Sequence, residues 1–225
     1  MYAPIHRFFD DFQGKRIIGS TATDGPWVFT KNGSGSPTAN TLDGATSAVR
    51  LLLDNTSEAQ AIDLSHGDIK QWRAEDIEYV RFRLKVPTAD ITTAQTLSFG
   101  LSGNRNNTWH SRAQYVNFAL QASTALLLES LDGTTTNNAV ATDTTVTTAL
   151  GYREFAIDFT QGLADVRFLA GDASNHMHRL APKTTFNCAA LKGLFLQPSI
   201  QIQKASGTTT PAVDVDYVEI VGRRS

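Results

Sequence analysis

Apolar and polar residues alternate strictly in several short segments of this chain, and the clearest segment runs from Ile77 to Val86. Successive side chains of a β-strand point to opposite faces, so this alternation gives each segment one apolar and one polar face. Such two-faced strands are typical of antiparallel sheets that pack on one side only. The apolar residues expected to face the interior are Val80, Phe82, Leu84, Val86, Leu97, Phe99, Leu101, Val116, Phe118, Leu120, Phe155, Ile157, Phe159, Ile200 and Ile202.

Turn-forming residues separate these segments. Asp132-Gly133 is a strong tight-turn signal, and residues 171–175 form a second cluster of Gly, Asp, Ser and Asn. Helical periodicity is nearly absent, and the one helical turn we expect lies near Ile69 to Asp76. Short strands with frequent turns and no strand–helix–strand alternation favour a sandwich or a barrel. We therefore predict an all-β fold, a two-sheet antiparallel jelly-roll sandwich with minimal helix, formed by residues 1–225 as a single domain.

Composition argues against several classes of function. The formal net charge is -2, so no positive field exists to attract nucleic acid. No apolar run approaches the length of a membrane span, and we expect no membrane partner. Cys188 is the only cysteine, which rules out an intrachain disulfide and a cysteine-rich metal site. We expect no cofactor and no metal ion, and folding in a reducing cytoplasm.

The two ends of the chain carry a family resemblance. The chain opens with Phe8–Phe12, the Trp of Asp24–Trp27 follows early, and the segment Val213–Ile220 contains a Val-Asp-Tyr-Val run near the end. This ordering resembles the concanavalin-A-like lectin/glucanase jelly rolls. More narrowly, the Thr-rich and Cys-poor texture and the tail Arg223–Ser225 are similar to those of tailed-phage virion proteins that use this fold.

The narrower resemblance implies a non-enzymatic virion structural protein, most concretely a phage capsid decoration or cement protein. Charged residues make up only 19% of the chain, which suits surfaces that a partner covers. The partners would be the major capsid protein and further copies of the chain in a homotrimer, since capsids offer three-fold positions. The location would be the capsid surface, reached after folding in the host cytoplasm. Two alternatives stay open: a glycan-binding, lectin-like tail or receptor-binding module that contacts a surface glycan, and a laminarinase-type glycoside hydrolase.

Asp214-x-Asp216-x-x-Glu219 is the catalytic candidate. Laminarinase-type hydrolases of this fold carry Glu-x-Asp-x-x-Glu in mid-chain, with the two Glu as nucleophile and acid/base, so the resemblance gives Asp214 the nucleophile position. Retaining hydrolysis needs its two carboxyl groups about 5–5.5 Å apart. In a regular strand Asp214 and Asp216 share a face while Glu219 points to the other, unless a bulge intervenes. With this parity, and a place at the end of the chain, we predict no catalytic residues and no enzymatic activity.

A polar loop around Trp109 is the most functional-looking segment. In Asn104–His110 a Trp lies among amides and an Arg, which suits a cap on the core, an anchor in a protein interface, or a platform for a sugar ring. The N-terminal segment 1–7 is either an edge strand of its own sandwich or an extended arm on a neighbouring protein. The interface residues that we predict are Tyr2, Ile5, Arg7, Trp109, His110, Arg223 and Arg224.

Overall fold

Strands carry almost all of the regular structure. The computed structural model describes residues 5–12, 26–42, 47–69, 72–85, 95–121, 125–140, 151–172, 174 and 176–223. Helical structure in these ranges takes the form of three-residue 3₁₀ turns, such as Ala74–Asp76 and Trp109–Ser111, which confirms the predicted all-β fold. The strands are β1 (Ile5–Asp10), β2 (Val28–Asn32), β3 (Thr38–Leu42), β4 (Ala48–Leu52), β5 (Gln60–Ser65), β6 (Trp72–Arg73), β7 (Ile77–Lys85), β8 (Gln95–Ser102), β9 (Tyr115–Gln121), β10 (Ala125–Leu131), β11 (Thr136–Val140), β12 (Arg153–Asp158), β13 (Arg167–Gly171), β14 (Met177–Arg179), β15 (Phe195–Lys204) and β16 (Ala212–Arg223).

These strands form two antiparallel sheets. Sheet 1 has the order β14-β13-β12-β7-β16-β4-β3, with β1 also paired to β16. Sheet 2 has the order β11-β10-β9-β8-β15-β5-β2, with β6 also paired to β15. The buried apolar residues of both sheets form one core cluster between them, as the predicted jelly-roll sandwich requires.

Phenylalanine rings from both sheets meet in that core. Phe82 of β7 and Phe155 of β12 belong to sheet 1, Phe99 of β8 and Phe118 of β9 to sheet 2, and all four are 0% exposed. Ring centroids lie 5.7 Å apart for Phe82 and Phe99 and 5.3 Å apart for Phe118 and Phe155, at the edge-on angles that aromatic pairs prefer. The inward faces predicted from alternation are confirmed here, and each buried ring stabilises the fold by roughly 1.5–3 kcal/mol. Val86 lies outside the described residues.

The closing strand β16 organises sheet 1. β7 pairs with one side of it, while β4 and then β1 pair with the other. Residues 5–7 lie in β1 and pair with residues 221–223, so this part of segment 1–7 is a strand of its own sandwich. Residues 1–4 lie outside the described residues.

The segment expected to form a helical turn contains one, at its end, and residues 70 and 71 lie outside the described residues. Strand β6 is followed by the 3₁₀ turn Ala74–Asp76, which is too short for an α-helix. In the described ranges, no helix has the length and hydropathy needed to cross a membrane.

An aromatic cluster joins β1 of sheet 1 to the end of β5 in sheet 2. Trp27 Nε1 donates a hydrogen bond of 3.1 Å to Asp10 Oδ2, and the His66 ring packs edge-on at 4.7 Å from Trp27 and 5.0 Å from Phe8. His66 is 1% exposed, and neither of its ring nitrogens has a hydrogen-bond partner among the described residues. Burial lowers the pKa of His66 to about 4, so its imidazole is neutral at neutral pH.

Candidate functional site

The three carboxylates of the catalytic candidate share the outer face of sheet 1. The register of β16 against β7 shifts between Val215 and Tyr217, as at a β-bulge. The extra residue turns Glu219 to the same side as Asp214 and Asp216, so the predicted parity is wrong. The core residues of β16 show this change in alternation. They are at odd positions before the shift, Val213 and Val215, and at even positions after it, Val218 and Ile220.

Arginine side chains occupy all three of these carboxylates. A guanidinium bound to a carboxylate uses the oxygens that a nucleophile or a general acid would need. This arrangement on sheet 1 is an ion-pair network across neighbouring strands, which accounts for the polar residues of β16 without a ligand. The pairs are Asp214 with Arg50 at 2.7 Å, Asp216 with Arg83, and Glu219 with Arg7 at 2.6 Å and Arg81 at 3.8 Å.

The predicted interface residues fall on two separate surfaces. Ile5, Arg7 and Arg223 lie on the paired strands β1 and β16, where Ile5 is 70% exposed and Arg223 pairs with Glu78. Trp109 and His110 lie together in a 3₁₀ turn on the other sheet. Tyr2 and Arg224 lie outside the described residues. A role in an interface stays a prediction for these residues other than Trp109, whose side chain is 0% exposed.

The loop between β8 and β9, residues 103–114, folds over the outer face of sheet 2, and we call it the strap. Arg112 anchors it, because its buried Nη1 donates to Ser102 Oγ at 2.8 Å and to Ser199 Oγ at 2.7 Å. Its Nη2 binds the buried carboxylate of Asp63. Burial raises the pKa of Asp63 and lowers that of Arg112, while their mutual attraction opposes both shifts. One buried ion pair therefore ties the strap to β5, β8 and β15.

Trp109 packs between the strap and the sheet. Its side chain is 0% exposed, and the guanidinium carbon of Arg112 lies 4.0 Å from its ring centroid. The ring also faces Tyr115 of β9 at 6.4 Å. Of the three roles considered for Trp109, its burial fits that of a cap. The surface that it covers is the outer face of sheet 2, not an end of the core between the sheets.

The far side of the strap reaches β10. His110 Nε2 lies 3.0 Å from Glu129 Oε2, and Asn117 Nδ2 donates to the same oxygen at 3.2 Å. Hydrogen bonding to Glu129 raises the pKa of His110. In the described part of sheet 2, Glu129 and Asp63 are the carboxylates at outward positions of the strands.

Buried polar atoms without a hydrogen-bond partner gather where the strap meets sheet 2. A buried polar atom left unpaired costs roughly 1–3 kcal/mol, so native proteins keep few of them. Ordered water is the usual partner of such buried polar atoms. The atoms, judged within the described residues, are Gln60 Oε1, Ser98 Oγ, Trp109 Nε1, Arg112 Nε, Asn117 Oδ1 and Gln201 Oε1.

A cavity of about 360 Å³ lies beside the strap on the same face of sheet 2. Small-molecule sites typically measure roughly 300–1,000 Å³, so this volume suits a small ligand. Most of its lining side chains are amides or hydroxyls. The lining residues are Asn32, Ala59, Gln60, Ala61, Thr96, Asn107, Thr108, Gln203, Lys204 and Ala205.

Lys204 is the charged residue in that lining, and its charge is already bound. Its Nζ donates to four backbone carbonyl oxygens, at distances of 2.6–3.3 Å. These carbonyls belong to segments 54–56 and 207–209, so Lys204 ties two loops together at the end of the cavity. The cavity therefore presents uncharged polar groups to a ligand.

The sequence pattern indicated the Trp109 loop but not the residues beneath it. The outward residues of β15 are Gln197, Ser199, Gln201 and Gln203, whereas those of β7 are Tyr79, Arg81, Arg83 and Lys85. An outward face of amides and hydroxyls without charges was the available signal that sheet 2 is covered or binds a ligand.

No family model and no curated protein matches the chain. Solved structures share its fold. A β-1,3-glucanase from Mycobacterium marinum is 16% identical, with a TM-score of 0.57, and the match covers 95% of this chain and 97% of that one. The catalytic domain of a laminarinase from Thermotoga petrophila is 8% identical, with a TM-score of 0.59 and coverage of 99% and 100%. A GH16 protein of the Bacteroides ovatus mixed-linkage glucan PUL is 10% identical, with a TM-score of 0.58 and coverage of 95% and 99%.

These comparisons confirm one prediction and correct two. The predicted concanavalin-A-like jelly roll is confirmed, because the similar structures are glucanases of this fold. The predicted virion structural role is wrong, and so is the prediction of a protein without enzymatic activity, since the fold neighbours are glycoside hydrolases. The error arose from the Thr-rich, weakly charged texture, which indicates a coverable surface but does not tell a protein partner from a sugar. At these identities the likeness shows the fold alone.

Proposed function

We propose that the protein binds a neutral carbohydrate on the outer face of sheet 2, in the cavity beside the strap. The observation that carries this proposal is the lining of the cavity, in which uncharged amide and hydroxyl side chains such as Asn32, Gln203 and Thr108 predominate. Sugar hydroxyls both donate and accept hydrogen bonds, and so do the amides and hydroxyls that line the cavity. A sugar in the cavity would give these groups partners.

The electrostatics favour a neutral sugar over an acidic one. An acidic sugar would need a free cation to balance its charge, and Lys204 donates instead to backbone carbonyls. The shared fold with glucanases adds support, because those proteins are named for neutral glucans.

Substitutions in the cavity test the proposal. Asn32→Ala and Gln203→Ala each remove an amide from the lining, so each should weaken binding of a neutral oligosaccharide by roughly 2- to 10-fold, since a hydrogen bond contributes about 0.5–1.5 kcal/mol. Asn40→Ala is the matched control, an exposed amide on β3 of sheet 1. Affinities are measured by isothermal titration calorimetry against a panel of neutral gluco- and galacto-oligosaccharides. Equal binding by all variants would place the site elsewhere, and no binding by the native protein would refute the proposal.

Hydrolysis of a glycan at the far side of the strap is a second candidate function, supported by Glu129 of β10. Its side chain is 6% exposed and accepts hydrogen bonds at the outer face, as a catalytic acid or base can. Asp63 is too far away to be its partner, because four strand spacings of roughly 4.8 Å separate β5 from β10, about 19 Å in all. Inverting glycosidases hold their carboxyl groups roughly 6.5–9.5 Å apart. Hydrolysis at this face would therefore depend on Glu129 with a group other than Asp63.

Release of reducing ends from the same oligosaccharides tests this second function. If Glu129 is the acid or base, Glu129→Gln should lower the rate by roughly 100-fold or more while binding persists. Glu154→Gln, on the outer face of sheet 1, is the matched control and should leave the rate unchanged. A native protein that binds glycans without releasing reducing ends would contradict hydrolysis and leave the binding proposal in place.

A further inference from the structure

We infer that the strap makes the site specific for the ends of neutral glycan chains, so that the terminal one or two sugars bind and interior stretches do not. This inference rests on the proposed function, because it concerns the same cavity. It is carried by the position of the strap, by the two walls of the cavity, and by how far the lining extends across sheet 2.

The strap fills the middle of the outer face. Ser98, Asn117 and Ser199 occupy outward positions on three adjacent strands, and each is at most 1% exposed. Contacts fix the strap on both sides of this area. Gln201 Nε2 donates to the backbone oxygen of Asn106 at 2.7 Å, and His110 meets β10 on the other side. A long chain running through the middle of the face would collide with the strap.

The cavity lies between two walls. Asn107 and Thr108 of the strap form one wall, and Ala59 and Ala205, which lie in the two loops that Lys204 joins, form the other. Its floor runs from Asn32 on the edge strand β2 to Thr96 on β8, which is three strand spacings, or about 14 Å at roughly 4.8 Å each. Among the described residues, the lining stops at β8 and does not continue to β9.

An interior stretch of a glycan needs an entrance and an exit at the two ends of its binding groove. The lining of this cavity reaches the edge strand at Asn32, while the strap and the tied loops bound it along the strands. A chain that enters from the edge at β2 therefore presents its end to the cavity, and further sugars remain in solvent. Added sugars outside the cavity make few contacts and should add little affinity.

A length series tests the inference. Linear neutral oligosaccharides of one to six sugars are titrated into the full chain by calorimetry, with the sugar type taken from the panel that tests binding. The affinity should level off early, with a change of less than about two-fold between trisaccharide and hexasaccharide. On a long soluble glucan, the stoichiometry should be one or two protein molecules per chain, because each chain has two ends.

Two alanine-to-tryptophan substitutions test whether the oligosaccharides bind in the cavity. Ala205→Trp places a large ring at an exposed position of the lining and should abolish binding of every oligosaccharide. Ala164→Trp is the matched control, at an exposed position between β12 and β13, and should bind normally. Unfolding curves of both variants show whether each one folds.

The outcomes separate the inference from the proposal beneath it. Affinity that rises with each sugar up to the hexasaccharide, or many protein molecules per glucan chain, would overturn end recognition and leave glycan binding standing. Binding that survives Ala205→Trp in a folded protein would overturn the cavity as the site of the chain end. Absence of binding to every oligosaccharide would overturn the proposed function, and the inference with it.

Discussion

The outer faces of the two sheets differ in whether their polar side chains find partners within the chain. On sheet 1 the polar residues are charged and matched, since carboxylates such as Asp214 and Glu219 are paired with arginines, Arg50 and Arg7, whose side chains reach solvent. On sheet 2 they are mostly uncharged and buried below the strap, and atoms such as Asn117 Oδ1 lack a partner within the described residues. Exposed, matched charges contribute little to stability and require no ligand. Buried polar atoms without partners cost free energy, which points to a functional reason for keeping them.

Aromatic rings on the outer face of sheet 1 contact its arginines and one another. The guanidinium carbon of Arg81 lies 4.6 Å from the ring centroid of Tyr79, and the rings of Phe9 and Tyr217 lie 5.5 Å apart. These contacts satisfy the cationic groups of that face from within the chain. The catalytic candidate Asp214-x-Asp216-x-x-Glu219 thus belongs to the face whose charges are paired within the chain, and the candidate binding site lies on the other face.

The substitution expected to lower stability most is Arg112→Met on sheet 2. It leaves the carboxylate of Asp63 buried without its cation, so the free energy of unfolding should fall by about 3–5 kcal/mol. The matched change on sheet 1 is Arg81→Met, whose side chain is 42% exposed and whose carboxylate partners lie 3.8 Å away. That change should cost less than about 1 kcal/mol. Urea unfolding at neutral pH measures both.

A second substitution separates loss of the ion pair from general damage. Replacing both charged residues, in Arg112→Met with Asp63→Leu, removes the uncompensated charge and should recover part of the lost stability. Equal losses for Arg112→Met and Arg81→Met would mean that the two faces do not differ as described.

Alternation predicted the strands because the parity of side chains along a strand is a local property. Phe99 and Phe118 were therefore placed inward correctly. The bulge in β16 was not predictable, since it depends on pairing with β7, and it reversed the position of Glu219. The strap was equally hidden, because the pair between Arg112 and Asp63 joins residues 49 positions apart. Local pattern thus predicted the scaffold and the Trp109 loop, while the contacts that build the site are long-range.

A buried nitrogen without a partner need not mark a ligand site, and His66 tests that distinction. It lies among Phe8 and Trp27, so its effect should appear as sensitivity to acid. Its folded pKa of about 4 lies below the ordinary value of 6.5, so its contribution is complete above pH 6.5 and declines as pH falls. From pH 6.5 to pH 4 the loss should be of the order of 3 kcal/mol.

The measurement for His66 is urea unfolding at a series of pH values. His66→Met keeps an apolar side chain in the cluster and should remove this part of the acid dependence, although the carboxylates still contribute theirs. His6→Met, at an exposed position of β1, is the control and should follow the native curve. If His66→Met and the native protein lose stability equally in acid, protonation of His66 does not lower the free energy of unfolding.

The smallest expected effect belongs to Glu219→Gln on sheet 1. Its partners are exposed, with Arg7 at 62% and Arg81 at 42%, so solvent screens both ion pairs. The free energy of unfolding should change by less than about 1 kcal/mol, and glycan binding should not change at all. Urea unfolding and calorimetry with the neutral oligosaccharides check the two statements. A large loss of binding in Glu219→Gln would move the functional site to sheet 1, because a substitution there reaches sheet 2 only through the packed core.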